Sequence, residues 1–191
     1  MLERESDEEL MARVASGDHP AFRRLMALHM GRALRVAESV VRNTGEADDI
    51  AQEAFIRIWR SAGAFDPSRA RFTTWMHRIV VNLAIDRRRR VGSDAVEISE
   101  DIPCDESGAL DVLIAAEQQR AVQVALAQLP ERQRAAIALF HFEGLSGRAS
   151  AEAMNLSESA FDSLLTRART TLKHRVREVL RGTGRKLDEA G

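Results

Sequence analysis

The chain has 191 residues, 45% hydrophobic and 30% charged, with a net charge of −1, no tyrosine and a single cysteine. A run of 18 apolar residues is absent, and the start Met1–Glu9 is acidic where a secretory signal would be basic and then apolar, so the expected location is the cytoplasm without membrane insertion. Cys104 alone forms no internal disulfide and five scattered histidines show no ligand spacing, so no metal, cofactor or catalytic residue is expected.

Abundant Ala, Leu and Arg with few aromatics favour helices, and four prolines (Pro20, Pro67, Pro103, Pro130) punctuate them. Ser6 or Asp7 caps a first helix over about 7–16, with Leu10, Met11 and Val14 inward and Gly17-Asp18 ending it. Asp18-His-Pro-Ala opens a second helix to about residue 42, closed by Asn43-Thr-Gly45. A third, about 46–62 and capped by Thr44, carries Ala47, Ile50, Ala51, Ala54, Phe55, Ile58 and Ala62 on one apolar face. Its opposite face sets Asp49, Gln52, Glu53 and Arg60 around Ile56, with Trp59 nearby. An apolar centre with a charged rim suits a protein partner, although single exposed apolar residues are also common on ordinary surfaces.

A loop through Phe65 and Pro67 leads to the helix Arg69–Arg90. Phe72, Trp75, Met76, Ile79 and Leu83 share one sector of its wheel, which should enter a core. Thr74, Arg78, Asn82 and Arg89 share another, and the helix ends in four arginines. Such a stripe suits a polyanion; the arginines would equally complement the helix macrodipole.

Residues 1–90 hold 16 Lys/Arg and 13 Asp/Glu, residues 91–111 none and seven, and residues 112–191 twelve and nine. Two mildly basic modules joined by an acidic, extended linker are therefore expected. Beyond the linker, Leu113 to Leu129 form one helix, and Pro130 to Phe142 another with Ile137, Ala138 and Phe140 or His141 inward. Leu145–Arg169 has the rhythm of a helix-turn-helix. Ser157 would cap its second helix, with Ala160, Phe161, Leu164, Leu165 and Ala168 inward. Ser159, Asp162, Ser163, Thr166 and Arg167 would face outward, as groups suited to base edges and phosphates, and a basic tail follows. The expected fold is all-α: a four-helix module at 1–90, a linker at 91–111 and a helix-turn-helix module at 112–191.

Asp48–Arg60, Phe72–Arg87, Leu129-Pro-Glu-Arg-Gln-Arg134 and the helix-turn-helix follow in this order, and together resemble the extracytoplasmic-function class of bacterial RNA polymerase sigma factors. The resemblance implies a non-enzyme that directs promoter-specific initiation on the polymerase core. The third helix, through Asp49, Gln52, Glu53, Ile56, Arg57, Trp59 and Arg60, would dock on the clamp of the β′ subunit, with β a further partner. Phe65, Arg69, Arg71, Thr74, Arg78 and Asn82 would hold a flipped base and the separated strand of the −10 element, and Arg87, Arg88 and Arg89 adjoining duplex phosphates. Ser157, Ser159, Asp162, Ser163, Thr166 and Arg167 would read the −35 element as duplex. The acidic linker would thread through the RNA exit channel, and an anti-sigma factor would cover the binding faces. Gly147-Arg-Ala-Ser150 departs from the family's usual apolar and acidic pattern, which implies looser packing there. From the residues alone, a stand-alone helix-turn-helix regulator is the competing reading.

Overall fold

The computed structural model describes residues 5–91 and 109–188, and among these every regular element is helical. α1 (Asp7–Ala15) opens with a reciprocal capping box: the Glu9 amide donates to Ser6 Oγ at 3.2 Å and the Ser6 amide to Glu9 Oε2 at 2.8 Å. Such a cap stabilises a helix by about 1 kcal/mol. α2 (His19–Val41) is capped by Asp18, which accepts from the Ala21 amide, and Pro20 sits in its first turn, where no N–H is missed. Arg42 ends α2 in the left-handed region at φ 61°, and Asn43, not Thr44, caps α3 (Thr44–Arg60). One residue therefore suffices to break one helix before the next cap.

A 3-10 turn (Ala62–Ala64) and a loop lead to α4 (Phe72–Val91). α1 to α4 close around Leu10, Leu25, Phe55, Ile58, Phe72 and Met76, all essentially inaccessible. On α4 the buried set is rotated from the expected sector: Phe72, Met76, His77, Val80, Val81 and Ala84 are buried, while Trp75, Ile79 and Leu83 lie at its edge. The reason is packing on several sides, because α2, α3, α6 and α7 all contact this helix.

Val91 ends α4 and residues 109–111 begin α5 (Ala109–Ala127), so both ends of the expected linker are helical rather than extended. Ala109 and Leu110 simply extend the helix that the later leucines and alanines form. The remainder of that acidic stretch, with Cys104, lies outside the described residues. α6 (Glu131–Ile137) widens into a π-turn (Ala138–Phe142), and Gly144 at φ 67° reverses the chain. α7 (Gly147–Ala153) and α8 (Glu158–Asp188) flank a turn in which Asn155 takes φ 53° and the Leu156 amide donates to the Ala151 carbonyl at 2.9 Å. Phe161, Leu165 and Ala168 anchor α8; Ala160, expected inward, is exposed, and Phe140 rather than His141 packs inward. The two modules touch: α6 lies on α2 and α4, and α7 lies on α4.

Candidate polymerase and promoter-binding surfaces

The outer face of α3 is built as its wheel requires. Asp49, Gln52, Arg57 and Arg60 are exposed, and Glu53 accepts from Arg57 Nε at 2.9 Å one turn along. Ile56 is 44% exposed at the centre of this charged surface. Trp59 is not a free anchor as expected: the first turn of α2 brings His19 onto its face, with ring centroids 4.6 Å apart, and Phe22 lies 5.0 Å away. The indole is half-buried structure, so Ile56 is the apolar group this face offers a partner.

Behind it, the loop after the 3-10 turn is preorganised by Asp66, whose Oδ1 accepts from the Ser68 amide at 2.9 Å and hydroxyl at 2.6 Å. Those two donors hold the Asp66 carboxyl below its ordinary range. Phe65 leans on Trp75 and Phe72, with centroids 5.2 and 6.2 Å away. Loop and helix wall a cavity of about 390 Å³ with Phe65, Arg69, Thr74, Trp75 and Arg78 on one side. Its other side is Glu152, Asn155 and Leu156, from the helix-turn-helix. Arg78 and Asn82 are exposed as expected, but Thr74 is 94% buried because α7 packs over this end of α4, so it leaves the open stripe.

The arginine run divides. Arg87 approaches Asp49 at 3.8 Å and Arg89 is exposed, whereas Arg88 turns towards Glu131 of α6 at 3.9 Å, with its side chain 11% exposed. Arg88 is thus committed to the contact between modules rather than to an open phosphate site. Arg71 is exposed on a second, polar cavity shared with Arg32 and Glu143.

On α8 the expected residues come together. Ser157, Ser159, Asp162, Ser163, Thr166 and Arg167 are all exposed, and their spacing of three, four and seven places the last five along one face. Ser157 Oγ accepts from the Ala160 amide at 3.2 Å, and Arg167 Nε donates to the Ser163 carbonyl, folding the guanidinium along its own helix. Asp162 lies beside Gly147: a Cβ there would meet its Oδ1 at 3.8 Å. Within the segment Gly147–Ser150, Gly147 and Ala149 are half-buried, Arg148 is exposed and Ser150 is inaccessible, with no hydrogen-bond partner for its hydroxyl among the described residues; Ala151 and Ala153 beyond it are buried.

Two regions of the chain match family signatures, Sigma-70 region 2 over residues 25–93 and Sigma-70 region 4 over residues 119–172. The sequence is 35% identical to the ECF RNA polymerase sigma factor SigM of Mycobacterium tuberculosis over 87% of this chain and 83% of that protein. It is 34% identical to the RNA polymerase sigma-H factor of Pseudomonas aeruginosa, over 95% and 99% of the two chains. The chain belongs to the ECF RNA polymerase sigma factors. Similarity extends to the ECF sigma-E factor of Escherichia coli, 30% identical over 95% of this chain and all of that one. Among solved structures, CnrH in complex with the cytosolic domain of CnrY superposes with a TM-score of 0.64 at 26% identity, over 91% of this chain and 99% of that one. The sigma factor RpoE of Bartonella quintana, solved with the anti-sigma factor NepR, shares the fold, with a TM-score of 0.62 at 22% identity over 82% and 96% of the chains.

What sequence reasoning missed in this sigma factor is the seam between its modules. Glu143, whose side chain is 1% exposed, accepts from Arg32 Nε at 2.8 Å and Arg35 Nε at 3.1 Å. Arg134 is buried and donates to the Val40 carbonyl at 2.7 Å, the Ala127 carbonyl at 3.2 Å and the Leu129 carbonyl. Burial lowers its pKa to about 10, which leaves it a cation at neutral pH. Arg42, the C-cap of α2, donates to the same Ala127 carbonyl at 3.0 Å, so the α2 segment is bonded to the last residue of α5 and, through Arg32 and Arg35, to Glu143 after the π-turn. Between them His77 is inaccessible, 3.8 Å from Glu143, and desolvation lowers its pKa to about 4 despite that carboxylate. Its imidazole is neutral at neutral pH.

Proposed function

We propose that this ECF sigma factor divides its work between residues 1–90, which hold the polymerase core and the melted −10 strand, and residues 112–191, which read the −35 duplex, with the acidic residues 91–111 between them. The cavity beside Phe65, Arg69, Trp75 and Arg78 carries the reading, since it offers a base both aromatic edges and cationic donors. Asn82, Arg87 and Arg89 continue the polar track along α4, and Ile56 with Asp49, Gln52, Glu53, Arg57 and Arg60 forms the core-binding face. On α8, Ser159, Asp162, Ser163, Thr166 and Arg167 face base edges, with Ser157 at a phosphate.

The protein supplies specificity and no catalytic group of its own, and it acts in the cytoplasm, where its polymerase is. Among the described residues no helix is long and apolar enough to cross a membrane. An anti-sigma factor is the expected regulator, supported by the exposed Ile56 and by the NepR complex of a chain with the same fold.

Reconstitution with polymerase core on a genomic promoter library, followed by sequencing of the transcripts, tests the reading. Initiation from a common bipartite motif is expected, and no initiation above core alone would overturn it. One observation favours a second reading, a regulator that binds duplex DNA alone: the α8 face is wholly open while the α4 stripe is partly covered, with Thr74 buried. Tight sequence-specific duplex binding by the free chain, without polymerase, would select that alternative.

A further inference from the structure

The reading face of α8 sets one acid among hydroxyls and a guanidinium, and that acid has no partner within the chain. Asp162 is exposed and, among the described residues, takes part in no hydrogen bond or ion pair. The guanidiniums on neighbouring turns of α7 and α8 are engaged elsewhere. Arg148 Nε donates to Glu152 at 3.2 Å, Arg167 Nε to the Ser163 carbonyl at 3.1 Å and Arg169 Nε to His141 at 3.2 Å, the last guanidinium lying 5.2 Å over the Phe140 ring. Nor does Asp162 serve a helix end, since Ser146 and Ser157 already cap α7 and α8. Glu158 lies in the first turn of α8, where the helix dipole stabilises an acid; Asp162 is a turn further in and lacks that support.

A carboxylate on a surface that meets DNA is repelled by the phosphates, so it weakens binding unless a base offers it a donor. In the major groove guanine presents two acceptors, thymine an acceptor and a methyl group, and adenine an acceptor beside its amino group. Cytosine presents only a donor, its N4 amino group. Ser159, Ser163 and Thr166 can donate or accept and Arg167 only donates, so Asp162 is the one side chain on this face that can only accept. The carboxylate also has room to turn. Oδ1 lies 3.8 Å from where a Cβ at Gly147 would stand, so a methyl group there would just touch it and a branched side chain would push it aside.

We infer that Asp162 is a specificity-determining residue of this sigma factor, selecting a cytosine in the upstream promoter duplex through its N4 amino group, and that Gly147 is the positioning residue that leaves the carboxylate free to reach it. The inference rests on the assignment of α8 to the −35 duplex given above.

The test uses holoenzyme reconstituted from the full chain and polymerase core. It transcribes a library in which the upstream element of a promoter recovered as above is randomised, and the transcripts are sequenced. The parent should favour C·G in one orientation at one position. Asp162→Ala should reduce that preference at least about fivefold and leave the other positions unchanged, and Asp162→Asn should move it towards A·T, since an amide pairs with adenine N6 and N7. Gly147→Val should lower the preference with the unfolding midpoint in place, whereas Gly147→Ala should keep it. An unchanged base profile in Asp162→Ala, with or without a uniform gain at all sequences, would overturn the inference and leave the −35 assignment standing, the carboxylate then acting only as a charge facing phosphates. A preference for a base other than cytosine at the position that Asp162→Ala alters would overturn it too. A parent profile flat across the whole upstream element would overturn the −35 assignment and the inference with it. Undiminished cytosine preference in Gly147→Val would overturn the positioning role of Gly147.

Discussion

Two surfaces of this sigma factor carry similar polar side chains and stand in opposite conditions. All six residues expected on the reading face of α8 are exposed, whereas α4 has lost Thr74 from its stripe and Arg88 from its arginine run to contacts with the other module. The difference follows from what lies beneath each helix. α8 buries Phe161, Leu165 and Ala168 against α5, α6 and α7 and keeps its reading face free; α4 is packed against five other helices. A surface on a helix that ends a bundle is open by construction, and a surface on a central helix is open only if no partner arrives.

The largest expected effect attacks the foundation of the open face. Phe161→Ala should cost about 3–5 kcal/mol of stability, because it removes a fully buried ring at the root of α8. Urea unfolding followed by circular dichroism measures this, and duplex binding should fall in step. A cost under about 1 kcal/mol would mean that the α8 face does not depend on that anchor, and the contrast drawn between the helices would lose its basis.

The covered face has its own probe in His77, enclosed by Glu143, Arg32 and His29 at the seam. Its pKa is about 4 when folded against an ordinary 6.5, so the unfolded chain takes up the proton first as pH falls. Stability is complete above about pH 6.5 and is lost progressively towards pH 4. Between pH 7 and pH 5 this one group removes about 2 kcal/mol. Denaturation at the two pH values should show that loss in the parent, and His77→Met should lack it while otherwise folding. An equal acid slope in both proteins would show that the imidazole is solvated and the seam open in solution.

Most of what concerns helices was legible because it is local. Ser6 and Asp18 cap within three residues, the period of α3 puts its apolar residues on one side, and the α8 pattern needs only its own turn to be read. Trp59 was misjudged because the ring that covers it, His19, lies 40 residues earlier on another helix. Glu143 gave no local signal, since its partners Arg32 and Arg35 are 111 and 108 positions away. Arg134 entered only as the end of the motif Leu129–Arg134, and nothing local shows that its guanidinium reaches Val40 across 94 residues. Periodicity reports one helix at a time, and a seam between two modules has no period.

Specificity on the open face offers a smaller and more selective test. Arg167→Ala should weaken use of the cognate −35 element by about 1–3 kcal/mol and leave association with the polymerase core unchanged. In the free chain this guanidinium lies along its own helix on the Ser163 carbonyl, and it is exposed, so its removal opens no cavity. Promoter titration in run-off transcription and core binding by anisotropy give the two numbers. A parallel loss in both would mean that the α8 face is not separable from the polymerase contact.

The smallest expected change in stability belongs to Ile56, and it sharpens the comparison by supplying a third surface, open like α8 but apolar at its centre. Because the side chain is 44% exposed and the buried face of α3 is complete without it, Ile56→Ala should shift folding by no more than about 0.5 kcal/mol. The same change should weaken core binding at least several-fold, since a central apolar side chain among charges is the kind that anchors an interface. Trp59→Ala should show the reverse balance, costing stability through its contacts with His19 and Phe22. If Trp59→Ala instead weakened core binding while leaving the unfolding midpoint in place, the indole would be swinging out to meet the polymerase, and α3 too would hide part of its working surface in the free protein.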